Sequence, residues 1–68
     1  MTATQTALRA KVPHHTAPFV VVSTPGTSFE RIEDYCSTLK GALECKSCYD
    51  EPCDIMRVLP SGALTSEY

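Results

Sequence analysis

All four cysteines of this 68-residue chain fall within residues 36–53, as Cys36, Cys45, Cys48 and Cys53 in a C-x8-C-x2-C-x4-C pattern. In so short a chain this clustering is the strongest constraint on shape. A domain of this size buries only about 60% of the surface its unfolded form exposes, so apolar burial barely offsets the entropy of ordering. Small domains therefore add a metal, disulfides or a subunit interface. A thiol cluster is where such a staple sits.

Three chemistries compete for these thiols. Cys45 and Cys48 have the two-residue gap that lets both sulphurs reach one tetrahedral zinc at about 2.3 Å. Cys53 then supplies a third ligand and Cys36 or an outside donor a fourth, so Zn2+ held by Cys36, Cys45, Cys48 and Cys53 is the first expectation. The second is reversible closure of Cys45 with Cys48, or of Cys53 with Cys36, which would stiffen the chain by about 2–4 kcal/mol. The third is four free thiols, with Cys36 packed as a small buried hydrophobe. An iron–sulfur cluster is disfavoured because the order matches neither the bacterial nor the plant-type ferredoxin run. Thioredoxin-like exchange is disfavoured too, because its C-x-x-C opens a helix, whereas Cys45 and Cys48 follow an expected helix stop at Gly41. Lys46 favours a thiolate while Glu44, Asp50 and Glu51 oppose one. His14 and His15 lie far from the thiols in sequence, between Pro13 and Pro18, and read as solvated rather than as ligands. No catalytic constellation emerges, and the chain is not expected to be an enzyme.

Charge is distributed unevenly. Residues 1–29 contain no Asp or Glu and carry Arg9 and Lys11, while residues 30–68 hold all eight acids. An acidic folded part argues against nucleic acid, whose binding rests on clustered Lys and Arg. No apolar run approaches the roughly 18 residues of a membrane span, and none resembles a secretory leader, so no membrane association and a cytoplasmic location are expected. Cytosolic thiols stay reduced, which favours metal over structural disulfides.

Along the chain, residues 1–17 show no sustained periodicity and predict a flexible tail, leaving 18–68 as one small domain. Phe19–Ser23 is β-branched and apolar on both faces, a strand buried on at least one side. Pro25 and Gly26 end it. Thr27 and Glu30 have the spacing of a capping box, and Phe29, Ile32, Cys36 and Leu39 form one apolar stripe, predicting a helix over 28–40 that stops at Gly41. Residues 42–53 read as a polar, cysteine-rich loop. Residues 54–59 and 63–65 read as two strands joined by a turn at Pro60-Ser61-Gly62. The predicted class is α+β, in the order β-α-loop-β-β, with one helix packed on a face of a three-stranded sheet. If its first two strands are parallel neighbours, the crossover between them is right-handed.

The resulting expectation is a small, non-enzymatic accessory or regulatory protein that binds a larger protein partner. Its cysteine cluster would be fixed by zinc or by redox-sensitive cross-linking. A thiol-redox protein, and a structural subunit whose thiols are incidental, are the alternatives.

Overall fold

The computed structural model describes residues 8–67. Its elements are β1 (Phe19–Ser23), β2 (Arg31–Cys36), α1 (Leu39–Lys46), β3 (Cys53–Val58) and β4 (Leu64–Thr65). The strands form one sheet in the order β2-β1-β3-β4, with every neighbouring pair antiparallel. The α+β class is as expected; the sheet has four strands rather than three. No helix among the described residues is long and apolar enough to cross a membrane.

β1 is central, and its sequence explains why. Val20, Val21 and Val22 are all fully buried, so alternate side chains enter apolar packing on opposite faces of the sheet. On one face Val20 and Val22 meet Met56, Val58 and Leu64, and on the other Val21 meets Cys36, Ala42 and Ile55. Each fully buried Val, Leu or Ile contributes about 1.5–3 kcal/mol. A strand apolar on both faces is stable only where both are covered. The expected first and second strands, β1 and β3, are antiparallel neighbours, so the condition for a right-handed parallel crossover is not met.

The helix expected over 28–40 is replaced by a turn, a strand and the start of a different helix. Thr27 and Glu30 still act as local caps, but of a turn: Phe29 N–H donates to Thr27 Oγ1 at 3.2 Å and Gly26 N–H to Glu30 Oε2 at 3.0 Å. Phe29 is 79% exposed. β2 then pairs with β1, and its register passes from Val21↔Asp34 to Val22↔Ile32, leaving Glu33 as the extra residue of a bulge. The bulge divides the expected stripe: Ile32 packs with Tyr35 on the Val20 and Val22 side, whereas Cys36 packs on the Val21 side.

The segment expected to be a loop over 42–53 begins as helix α1. Thr38 is extended and caps it, its Oγ1 accepting from Gly41 N–H at 3.0 Å, so Gly41 lies in the first turn and does not end a helix. Ala42, Cys45 and Tyr49, spaced three and four apart, face the sheet. The last turn tightens, with Cys48 N–H donating to the Cys45 carbonyl and Tyr49 N–H to that of Lys46. The turn between β3 and β4 falls where expected, closed by Leu59 N–H to the Ala63 carbonyl, with Gly62 at φ +89°.

Of the stretch expected to be a flexible tail, residues 1–7 lie outside the described residues. Residues 8–17 run as a strap over the face opposite α1. Leu8 and Ala10 pack on the Val20–Leu64 cluster, Ala10 N–H donates to the Gly62 carbonyl at 2.8 Å, and Ala17 is buried. The sheet is thus covered by α1 on one side and by this strap on the other.

Candidate metal centre

The bulge in β2 and the sheet-facing side of α1 together build the site. Cys36 closes β2 opposite Phe19, Asp34 stands two residues back on the same face opposite Val21, and Cys45 comes down from α1. The Cys36 thiol donates to the Cys45 sulphur at 3.7 Å. The Asp34 carboxylate joins them, and one ligand atom from each of Asp34, Cys36 and Cys45 lies within 4.8 Å of the others. Cys36 is buried, whereas Asp34 and Cys45 are half-buried, so the group opens toward solvent on one side. One oxygen of Asp34 also accepts from Tyr35 N–H at 2.8 Å, which fixes the orientation of the carboxylate.

The surrounding electrostatics raise both Cys45 and Cys53 and lower Glu33. Hydrogen bonding to the Asp34 carboxylate and to Cys36, with burial behind them, pushes the Cys45 thiol up to about 12. Burial, then Glu51 and Glu33, pushes Cys53 up. Burial, followed by Asp34, Glu33, Cys45 and Cys53, raises the Tyr49 hydroxyl. Glu51 is raised chiefly by its hydrogen bond to Glu33, which itself is held low by the Ser23 hydroxyl and by Arg31. Cys45, Cys53 and Tyr49 therefore lie near enough to acids or to one another for their anionic forms to be repelled. A bound cation would relieve that repulsion.

The four cysteines expected to share one zinc are distributed differently. Cys36 and Cys45 meet. Cys48 is exposed, with its thiol on the Glu44 carbonyl at 3.5 Å. Cys53 begins β3 opposite Ser23 and packs at the margin of the helix-side cluster, outside the Asp34–Cys36–Cys45 group. All four are free thiols. The C-x-x-C pair thus splits at the helix end, one sulphur pointing inward and the other outward. His14 and His15 stack edge to face at 5.5 Å in the strap and do not belong to the group.

Asp34 is the member that sequence reading missed. Placed on a helix it falls on the outer face; placed on a bulged strand it falls beside Cys36. The signal that could have found it is the pairing of Cys36 with an acid two residues earlier, which is same-face spacing in a strand.

What the fold and site define is a small antiparallel α+β protein with a carboxylate and two thiols gathered between an edge strand and a helix. The chain matches no known protein family, no curated protein and no solved structure.

Proposed function

We propose that this is a small, non-enzymatic accessory protein in which Asp34, Cys36 and Cys45 hold one Zn2+. The metal clamps α1 to the edge strand β2 and so sets a surface for a protein partner. The observation that carries the reading is the 3.7 Å separation of the two sulphurs beside a carboxylate. Two thiolates each about 2.3 Å from a tetrahedral zinc stand about 3.8 Å apart, so the sulphurs need almost no movement to become ligands. Van der Waals contact between sulphurs gives a similar separation; the carboxylate is what favours metal. With the thiols deprotonated, a carboxylate and two thiolates side by side would be costly unless a cation shared the space. Three protein ligands leave a fourth position for water or for a donor from the partner.

The partner half of the reading rests on the outer side of α1. Leu39 and Leu43, one turn apart, are 36% and 52% exposed while Ala42 and Cys45 hold the inner side. Adjacent exposed leucines on a helix fixed from beneath are a surface suited to another protein.

A thiol-redox reading draws on the same contact, since a two-electron oxidant that took both electrons as the two thiol protons left would join Cys36 and Cys45, closing 3.7 Å to about 2.05 Å. The raised Cys45 thiol weighs against it as the attacking group, because the thiolate is the nucleophile.

Native mass spectrometry with metal analysis on anaerobically purified protein separates these readings. One zinc per chain, retained in Cys48→Ser and Cys53→Ser but lost in Cys36→Ser and Cys45→Ser, is the expected result. A metal-free chain lighter by two hydrogen atoms would replace the zinc reading with the redox one. A metal-free, fully reduced chain would leave the thiols incidental.

A further inference from the structure

The strap changes the meaning of the charge asymmetry. Arg9 and Lys11, from the acid-free end of the chain, come to lie beside Arg31 at the start of β2, and the three line one open cavity of about 300 Å³ with Leu8, Ile32 and Tyr35. Three of the six Lys and Arg residues of an otherwise acidic protein are thereby gathered at one place. Among the described residues that line it, none is acidic. The strap is pinned there by Lys11 N–H donating to the Tyr35 hydroxyl at 3.1 Å, and by the Arg9 guanidinium donating to the Ser61 carbonyl. Arg31 pairs with Glu33 at 3.1 Å, on the flank of the cavity.

We propose that this cavity binds a small soluble phosphate monoester carried on an apolar or aromatic body. The walls supplied by Leu8, Ile32 and the Tyr35 ring are apolar and the rim is cationic, the division of labour usual in small-molecule sites, and the volume lies at the lower end of their range. Charge selects the head group. Three cations, one of them shared with Glu33, leave about two positive charges, which a phosphate monoester at about −1.5 to −2 balances and a carboxylate does not. Both arginines carry the planar fork that matches phosphate oxygens, and a one-sign cleft against a low-dielectric wall concentrates such an anion. A long polyanion is disfavoured, because the cations form one pocket rather than a stripe and the chain carries a net charge of −2.

The test is a titration of the full chain with phenyl phosphate, followed by amide chemical shifts. Saturable shifts at Lys11, Ile32 and Tyr35 are expected, with inorganic phosphate and phenol each binding at least about tenfold more weakly because each supplies half of the contacts. Lys11→Ala and Arg31→Gln change exposed side chains and should each cost about tenfold in affinity with the dispersion of the spectrum unchanged, while Lys40→Ala on α1 should cost nothing. Absence of saturable shifts up to about 10 mM, which corresponds to binding weaker than about −3 kcal/mol, overturns the proposal. So do shifts that map to another face, or affinity that survives both cavity variants. Equal affinity for phenyl and inorganic phosphate would replace the apolar-bodied ligand with a simple anion.

Discussion

If Asp34, Cys36 and Cys45 hold zinc, metal binding must appear as folding free energy, because the three ligands come together only through the pairing of β2 with β1 and the docking of α1. At a free zinc concentration about one hundred times its Kd, a ligand that binds only the folded chain stabilises it by about 2.7 kcal/mol. For a domain of this size that is a rise of about 11–22 °C in Tm. The response should also depend on pH in a calculable way. The Cys45 thiol keeps its proton up to about 12, so zinc must displace that proton across the neutral range. Displacing it makes the affinity climb about tenfold per pH unit from this thiol alone. The assay is thermal unfolding by circular dichroism with and without zinc between pH 7 and pH 9, with proton release read by calorimetry in buffers of different ionisation enthalpy. Cys45→Ser should abolish the zinc increment while Cys48→Ser keeps it. An increment that is the same in Cys45→Ser and wild type, or that is flat with pH, would refute the reasoning.

Other outcomes follow from single positions. Leu64 is fully buried against Val58 at the sheet edge, so Leu64→Ala should cost about 2–5 kcal/mol in urea unfolding; a loss below about 1 kcal/mol would show that the short β4 contributes little to the core. Phe29→Ser should change stability by no more than about 0.5 kcal/mol, since the ring is 79% exposed; a loss of several kcal/mol would restore the helical stripe. Thr24 adopts φ +45° and buries an unpartnered Oγ1, so Thr24→Gly should stabilise by about 1 kcal/mol, and destabilisation would contradict that geometry. Alkaline pH should weaken the metal-free protein. Cys45 rises from 9.0 to about 12 on folding, so the folded state holds a proton that the unfolded state releases, and stability present below pH 9 is lost as pH climbs toward 12. Cys53 and Tyr49 are raised as well and act in the same sense. A urea midpoint unchanged between pH 8 and about pH 10.5 would contradict this.

The strands whose apolar patterns match their burial were legible in the sequence. Val20-Val21-Val22 read as a strand buried on at least one side, and the structure covers both; Pro60-Ser61-Gly62 between apolar residues read as the turn that is found. Residues 28–49 were not legible, because two local signals have more than one use. Thr27 and Glu30 satisfy a turn as readily as a helix N-terminus, and Gly41 is as acceptable in a first helical turn under Thr38 as at a C-cap. Tertiary context decided both. The sheet needed a partner for the free edge of β1, and the apolar side formed by Ala42, Cys45 and Tyr49 needed a sheet to cover. The cysteine spacing pointed to the right region, but the choice of partners depended on the strand that pattern reading had turned into a helix.

One backbone irregularity links the candidate centre to the cavity on the opposite face. A regular β2 would alternate strictly, sending Ile32, Asp34 and Cys36 to the same side. The extra residue at Glu33 breaks that alternation: Asp34 and Cys36 stay beneath α1 with Cys45, while Ile32 joins Tyr35 under the strap, where Arg9 and Lys11 meet Arg31. The inserted residue therefore lets one strand serve the carboxylate–thiol group on one face and the cationic cavity on the other, and among the described residues the outer edge of that strand is not paired. Bulges are concentrated at sheet edges and beside functional sites because they re-aim side chains without dissolving the sheet. Here the displaced residue is also the acid that shares Ser23, Arg31 and Glu51, which couples the charge balance of the helix side to the cation that flanks the other.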